Sequence, residues 1–431
     1  VGIILDKSSF YAEAGGQEAD VGEIVILSSD SEKPIAKLIV TDVQSYGGYL
    51  LHSGIVEEGE LKVGDSVTCE VDYERRRDIA PNHSMTHVLN GALRSVLGDG
   101  VEQRGSLCNE EKLRFDFSHK KALSNKQLRA VEELCQKSIA DSEPVTAEVM
   151  PLDEARKIEG VRAVFGEVYP DPVRVISIGS DISVEFCGGT HLSNTKEAEN
   201  MVIVEETAVA KGIRRISAVT RSLATKAIEE GKAFETKVTE TETLSDETES
   251  LDKMAGALRK DLDELYMSAV LKTELRARID AIQKKAVAAK KRALAGRVDR
   301  CLVAIEEELN QAVSGGAKSL VLDVDIGADS KASQKVIKKV QQLAPDMAFM
   351  GVTEEEAGSG GKVMAFAIVP NSLIETGFKA DEWVRATLAG VGGRGGGKPG
   401  SAQGQAQSCS DVSEIISASN KFASEKIGAA V

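Results

Sequence analysis

Two short histidine motifs carry the side chains best suited to chemistry. His83-Ser-Met-Thr-His87 and Cys187-Gly-Gly-Thr-His191 each place two metal-binding side chains four positions apart, and together they hold three of the chain's five histidines. Three imidazoles and one thiolate make up a ligand set that suits tetrahedral Zn²⁺. We therefore predict that His83, His87, Cys187 and His191 bind one zinc ion.

The elements around these motifs are predicted to position them. Apolar residues recur at helical spacing from Met85 to Leu97, with a start signal at Pro81-Asn82 and a stop signal at Gly98. On such a helix His83 and His87 face the same side. An isolated pair of this kind is more often a packing feature, so the zinc interpretation depends on the second motif.

The second motif is predicted to follow a strand. Residues 182–186 resemble a strand, and Gly188-Gly189 predicts a tight turn directly after Cys187. Glycine adopts backbone geometries that other residues resist, so the turn can bring Cys187 close to a metal.

Composition restricts the class of protein. The 431 residues are 42% hydrophobic with a net charge of -15, which argues against a general nucleic-acid binder. No apolar run approaches the roughly 20 residues that span a bilayer, so we expect no membrane partner. The six cysteines form no CxxC pair, which favours a reducing compartment. The chain starts with Val1 and shows no secretory signal, and we expect it to be a fragment.

Four segments follow one another, and they predict a multidomain α+β fold. Short strands and glycine turns in residues 1–75 predict a small β-barrel, whereas residues 76–222 mix helices and strands and hold both metal motifs. Residues 223–298 predict a long helix or a helical hairpin, and the apolar stripe over 251–293 permits a dimer. Residues 299–431 alternate strands and helices, which predicts a separate α/β domain.

Two regions can meet an anion. Residues 390–399 form a glycine-rich loop that lacks the spacing of a Walker motif, but exposed N–H groups with Arg394 and Lys398 can bind an anion or an RNA backbone. A flexible linker is the alternative. Residues 272–300 are strongly basic and can meet phosphate, although a solvated helix face is slightly favoured.

These motifs resemble a known family. The two metal motifs, with Phe10-Tyr-Ala-Glu-Ala-Gly-Gly-Gln17 before them and Gly212-Ile-Arg-Arg-Ile-Ser-Ala-Val-Thr220 after them, are similar to the editing half of alanyl-tRNA synthetase. The glycine-rich loop resembles that family's C-terminal RNA-binding domain. The resemblance covers essentially the whole chain, and Tyr169-Pro-Asp-Pro-Val-Arg174 is similar to cytoplasmic eukaryotic members. Cytoplasmic localisation is therefore expected, with mitochondrial or dual targeting left open.

The resemblance implies a reaction and a partner. It implies hydrolysis of the ester that joins serine or glycine to the 3′ adenosine of tRNA(Ala), with zinc as the cofactor. The tRNA acceptor end, and by extension its elbow, would be the partner, and the helical and C-terminal regions could form a homodimer. The half that charges tRNA would precede Val1, and we expect no class II catalytic sequence and no independent synthesis of alanyl-tRNA.

The same resemblance assigns roles to individual residues. Thr86 and Gln103 would form a polar wall that recognises the serine hydroxyl, and Gln17 would belong to a loop that closes on the amino acid. Asp116 would orient a ligand histidine or the substrate amine. Arg214 and Arg215 would hold RNA phosphate or a neighbouring carboxylate.

Two alternatives to the editing hydrolase remain open. In the first, zinc is purely structural, and the helical and C-terminal regions dock a nucleic acid or a second subunit. In the second, the chain is a freestanding deacylase that edits in trans.

Overall fold

The computed structural model describes residues 1–28, 31–163, 169–246, 248, 250–355, 360–409 and 411–428. The chain forms two compact units, one of residues 1–245 and 250–283 and the other of residues 246–249 and 284–431. No described helix combines the length and apolarity needed to cross a membrane.

The first unit begins with an antiparallel sheet. Its strands pair in the order β1-β4-β3-β2-β5 and comprise β1 (Gly2–Ile4), β2 (Gly22–Ser28), β3 (Ser31–Tyr46), β4 (Tyr49–Glu58) and β5 (Thr68–Val71). Within the described residues, the edge strands β1 and β5 do not pair with each other. The predicted β-barrel is therefore wrong, because closure requires edge strands that pair and these are only three and four residues long.

The first unit then packs a long helix against two further sheets. The elements are α1 (Tyr73–Leu97), β6 (Gln103–Cys108), β7 (Leu113–Ser118), α2 (Asn125–Ala140), β8 (Val145–Met150), α3 (Leu152–Ala155), β9 (Val173–Ile178), β10 (Ser183–Phe186), β11 (Met201–Ala210) and β12 (Ile213–Thr220). The strand orders in the two sheets are β10-β9-β8 and β11-β12-β7-β6. One apolar core joins Met85 and Leu89 of α1 to Phe115 of β7 and Ile176 of β9. The mixed α+β class is therefore as predicted.

Helix α1 starts eight residues before its predicted start signal, Pro81. The Asp72 side chain caps the helix by accepting a hydrogen bond from the Arg75 N–H, and Pro81 lies inside the helix. The start signal was misleading because Ile79 and Ala80 are buried, so packing extends the helix through the proline. The predicted stop at Gly98 is confirmed: its backbone has φ 94° and its N–H donates to the Arg94 carbonyl.

Three helices follow β12, in the segment where the sequence pattern predicted one long helix or a helical hairpin. They are α4 (Arg221–Glu242), α5 (Leu251–Glu264) and α6 (Ala269–Ser314). The boundary between the two compact units falls within α6, between residues 283 and 284.

The second unit is built on a mixed sheet. Its elements are β13 (Ser319–Asp323), α7 (Ser330–Leu343), β14 (Ala348–Glu354), β15 (Val363–Ile368), α8 (Asn371–Ile374), α9 (Ala380–Leu388), β16 (Arg394–Lys398), β17 (Ser401–Ala406) and α10 (Val412–Gly428). The strand order in the sheet is β13-β14-β15-β17-β16. The glycine-rich segment is therefore largely an edge strand, not a loop. Pairing β16 with β17 satisfies backbone groups that a loop would leave to water.

Candidate metal centre

The four predicted metal ligands converge in the first unit. The ligand atoms of His83, His87, Cys187 and His191 all lie within 4.8 Å of one another. Cys187 Sγ is 3.4 Å from His83 Nε2 and 3.3 Å from His191 Nε2. Those separations match the edge of a tetrahedron around zinc, which is about 3.5 Å between nitrogen and sulfur. The cluster can therefore hold a metal ion.

Local geometry explains why the two motifs meet. His83 and His87 stand on consecutive turns of α1, and Cys187 follows the end of β10. A Cβ atom at Gly189 would lie 2.1 Å from His83 Cε1, so only glycine allows the turn to approach the helix this closely. Arg174 holds the turn by donating from Nη1 to the carbonyls of Cys187, at 3.1 Å, and Gly189, at 2.7 Å.

The Nδ1 atom of each histidine has a polar partner. His83 Nδ1 donates to Gln17 Oε1 at 2.6 Å, and His87 Nδ1 donates to Glu185 Oε2 at 2.6 Å. His191 Nδ1 lies 3.1 Å from the Ser84 hydroxyl. Partners of this kind fix the tautomer and ring orientation of metal-binding histidines. Each Nε2 atom is thus left to face the cluster.

The surroundings of Cys187 favour its thiolate form. Burial by itself would raise the pKa of the Cys187 thiol, but the positive charge of His83 and hydrogen bonds from His191 and His83 lower it to about 2. The thiolate is the form that binds metals. His87 Nε2 is buried and has no hydrogen-bond partner among the described residues. A soft or borderline cation would satisfy this atom, so the donor set fits zinc.

Glu185 is the carboxylate that the sequence analysis missed. Its oxygens accept hydrogen bonds from His87, from Asn90 Nδ2 at 3.0 Å and from the Ser183 hydroxyl at 2.8 Å. Burial opposes ionisation, but the charge of His87 and the hydrogen bonds from His87 and Ser183 lower the pKa of Glu185 to about 2. A glutamate between the apolar residues Val184 and Phe186, two residues before Cys187, was the available signal.

Asp116 was predicted to orient a ligand histidine or the substrate amine, but its carboxylate contacts an arginine. Arg215 donates to both Asp116 oxygens, at 2.6 and 2.7 Å, because β7 and β12 place these residues directly opposite each other. Arg214 likewise pairs with Glu206 at 2.5 Å. Both arginines were predicted to hold either RNA phosphate or a neighbouring carboxylate, and each of them contacts a carboxylate.

A cavity of about 700 Å³ lies beside the cluster. Its described lining comprises Tyr11, Ala14, Gly15, Gly16, His83, Thr86, His87, Gln103, Arg104, Gly105, Ser106, Tyr169, Glu185, Phe186, Cys187, Gly188 and Gly189. The structure therefore brings Thr86 and Gln103 to the same cavity as three of the four ligands. Gln17 is fully buried behind this wall, where it binds His83 and also donates from Nε2 to the Thr190 hydroxyl at 2.9 Å.

The other predicted binding residues lie in the second unit. Arg394 and Lys398 occupy the two ends of β16, opposite Gln405 and Ser401 of β17, and both are exposed. No ion pair of the described residues involves either cation. Their charges are thus open to solvent.

Four family models match the chain. They are tRNA synthetases class II (A) at residues 1–75, the threonyl and alanyl tRNA synthetase second additional domain at 173–217, the alanine–tRNA ligase domain at 224–289 and the DHHA1 domain at 316–425. The first match is to a class II synthetase model over residues 1–75, and it leaves the expectation that the chain lacks the class II catalytic sequence untested. Only strand and turn signals were apparent in that segment.

Curated relatives match over nearly the whole chain. The cytoplasmic alanine–tRNA ligase of Drosophila melanogaster is 38% identical over 447 residues, which cover 99% of this chain and 45% of that protein. The Dictyostelium discoideum cytoplasmic enzyme is 38% identical, covering 98% of this chain and 46% of that protein. The mitochondrial enzyme of Saccharomyces cerevisiae is 36% identical, covering 99% of this chain and 44% of that protein.

A solved structure, the C-Ala domain from Aquifex aeolicus alanyl-tRNA synthetase, aligns with 25% of this chain and 86% of that chain. Its sequence identity of 17% and TM-score of 0.20 carry no structural argument. The chain spans a little under half the length of the curated relatives described above. The matched models and relatives together show that the chain belongs to the alanyl-tRNA synthetase family and corresponds to the C-terminal half of its members.

Proposed function

We propose that this chain hydrolyses the ester that joins serine or glycine to the 3′ adenosine of tRNA(Ala). One observation carries the proposal: a His₃Cys cluster, with His83 and His87 buried and the other two ligands half-buried, forms part of the wall of a cavity of about 700 Å³. The match to the second additional domain supports a role related to editing, and it includes Cys187 and His191. The reaction would remove a wrong amino acid after its transfer to tRNA.

The cofactor in this proposal is zinc, held by His83, His87, Cys187 and His191. When bound, it would supply positive charge beside the ester and help to hold the terminal ribose or a water. The chain's own residues preserve the arrangement: Gln17, Glu185 and Ser84 hold the imidazole rings, and Gly189 allows the turn to approach α1.

Selectivity against alanine would depend on the polar wall of the cavity. The Thr86 hydroxyl donates to the Asn82 carbonyl at 2.8 Å and accepts from the Cys108 thiol at 3.3 Å, so one further lone pair would accept a hydrogen bond from a serine hydroxyl. Gln103 lines the same cavity and donates from Nε2 to the Ser106 hydroxyl at 3.2 Å. A site that binds a hydroxyl can reject an analogue without it by about ten thousandfold.

The remaining parts of the chain would serve RNA binding. We propose the division into segments 1–75, 76–222, 223–298 and 299–431, in which Arg394 and Lys398 contact the tRNA backbone, at its elbow or elsewhere. A homodimer through the helical and C-terminal regions belongs to the same proposal, as does a cytoplasmic location. The exposed cations of β16 support the RNA contact.

A purely structural metal is the second candidate role. Four protein ligands are typical of closed structural zinc sites, whereas catalytic sites usually keep one position open. In this case the chain would be a binding module without hydrolytic activity. Chelation would then unfold the first unit, and no ester hydrolysis would be measured before chelation.

The direct test is deacylation of seryl-tRNA(Ala) and alanyl-tRNA(Ala) by the purified chain loaded with zinc. We expect rapid loss of the seryl ester and slow loss of the alanyl ester. Cys187→Ala and His83→Ala should abolish the activity and the zinc content, whereas Cys69→Ala and His119→Ala, which lie outside the cluster, should retain both. Full activity in a metal-free variant would refute the zinc assignment, and inactive wild-type protein would refute hydrolysis.

A further inference from the structure

Arg104 is a cation at the cavity that has no role in the function described so far. Among the described residues that line this cavity, it is the only lysine or arginine. The carboxylate of Glu185, which also lines the cavity, accepts a hydrogen bond from His87. Any strong anion in the cavity would therefore have one permanently charged side chain as a partner there. An RNA end that enters the cavity carries such an anion, the phosphate on the 5′ side of its terminal nucleoside.

An irregularity in β6 directs this side chain to the cavity. Gln103 pairs with Phe117 and Gly105 pairs with Asp116, so the ladder shifts at Arg104 and leaves it without a residue directly opposite on β7. In a regular strand, Gln103 and Arg104 would point to opposite faces of the sheet. Here both residues line the same cavity. Bulges that redirect a side chain in this way occur preferentially next to active sites.

The present partner of Arg104 holds it only weakly. Its Nη2 atom lies 2.7 Å from Glu102 Oε2, and the two side chains are 44% and 63% exposed. Ion pairs between exposed side chains contribute little because water screens them. The planar guanidinium can bind phosphate through two parallel N–H groups, which is a geometry that arginine favours. Arg104 can therefore exchange the carboxylate for a phosphate at low cost.

We propose that Arg104 binds the 5′-phosphate of the terminal adenosine in the acylated RNA. This inference rests on the proposed hydrolysis and assigns two neighbouring residues to different parts of the substrate. Gln103 faces the amino acid, and Arg104 faces the nucleotide backbone. The bulge in β6 is the feature that allows adjacent residues to serve one bound substrate. Glu102 acts as a competitor that occupies Arg104 in the absence of RNA.

A pair of small substrates that differ by one phosphate tests this role. The zinc-loaded chain is given 3′-O-seryl-adenosine and 3′-O-seryl-adenosine 5′-monophosphate, and KM and kcat are measured for each. We expect KM for the phosphorylated ester to be lower by about tenfold, as for a hydrogen bond between charged groups. Arg104→Gln should remove that preference. The kcat for both esters and the KM for the unphosphorylated ester should stay within about twofold of the wild-type values. Glu102→Gln should lower KM for the phosphorylated ester further.

A control variant and a second measurement separate the possible outcomes. Arg129→Gln removes an arginine of similar exposure that pairs with Glu274 away from the cavity lining, and it should leave the preference unchanged. With seryl-tRNA, Arg104→Gln should reduce the dependence of log KM on log salt by about one, because one phosphate contact is lost. If Arg104→Gln changes KM equally for both esters, or for neither, the proposed role of Arg104 is wrong and the proposed hydrolysis is unaffected. No hydrolysis by the wild-type chain overturns the proposed function and this inference with it.

Discussion

Two glycine-containing motifs of this chain have opposite surroundings. In Cys187-Gly-Gly-Thr-His191 the glycines form a turn against the metal-binding cluster, and at Gly189 there is no space for a Cβ atom beside His83. In Arg394-Gly-Gly-Gly-Lys398 the glycines form an exposed edge strand. There, Gly395 packs on α9, whereas a Cβ atom at Gly396 would meet nothing within 4 Å.

The contrast separates two uses of glycine. In the first motif the missing side chain makes room for a neighbouring ligand, so a substitution should disrupt chemistry and folding together. In the second motif the flat inner face of β16 lets a helix pack closely, while the cations at its ends face solvent. A substitution there should affect stability or RNA binding separately.

The largest expected effect is that of Gly189→Ala. The new Cβ atom would lie 2.1 Å from His83 Cε1 and 2.9 Å from Gln17 Oε1. Both side chains are held by buried hydrogen bonds, so we expect a loss of about 3 kcal/mol in the free energy of unfolding. Zinc affinity, measured by competition with a chromophoric chelator, should fall by at least about a hundredfold, or roughly 3 kcal/mol. Gly188→Ala is the control because nothing lies within 4 Å of its added Cβ; equal behaviour of the two variants would contradict the steric argument.

Glu185→Gln should weaken the metal site to an intermediate degree. The amide cannot match the charge that now orients His87, so zinc affinity should fall by about tenfold to a hundredfold. Cobalt substitution should give an altered ligand-field spectrum, which a general loss of stability would not produce. Glu206→Gln is the matched control, since Glu206 is a poorly exposed carboxylate paired with Arg214. Unchanged zinc affinity in Glu185→Gln would remove its orienting role.

Gly395→Ala should destabilise the second unit without changing the metal site. Its Cβ atom would lie 2.5 Å from Cγ1 of Val384, which is fully buried in α9. We expect about 2 kcal/mol of destabilisation from overpacking. Denaturant unfolding followed by circular dichroism measures the change, and Gly396→Ala should be nearly neutral. If Gly396→Ala were as harmful as Gly395→Ala, the two faces of β16 would not differ as described.

The smallest expected effect is that of Arg394→Gln and Lys398→Gln. Each should lower the slope of log affinity against log salt for tRNA by about one, with no change in zinc content or unfolding free energy. Fluorescence anisotropy of labelled tRNA over a salt series provides the measurement. Slopes equal to that of the wild type would exclude these side chains from the RNA contact.

Local patterns predicted many elements closely. The predicted strand 182–186 corresponds to β10 (Ser183–Phe186), and the helix predicted to stop at Gly98 ends at Leu97. Both have regular apolar spacing and a clear end. Pro81 was misread because the helix around it is stabilised by packing, which its local propensity does not reveal. The barrel was overpredicted because strand patterns do not reveal whether edge strands meet.

The sequence by itself determined the metal-binding donor set, because side-chain chemistry and spacing mark His83, His87, Cys187 and His191 without reference to the fold. Only the tertiary structure decided what orients them. Gln17, in the loop between β1 and β2, contacts His83 across 66 positions, and Glu185 contacts His87 across 98 positions. Such pairings arise when separate elements pack together, and no local pattern in the chain encodes the distance between them.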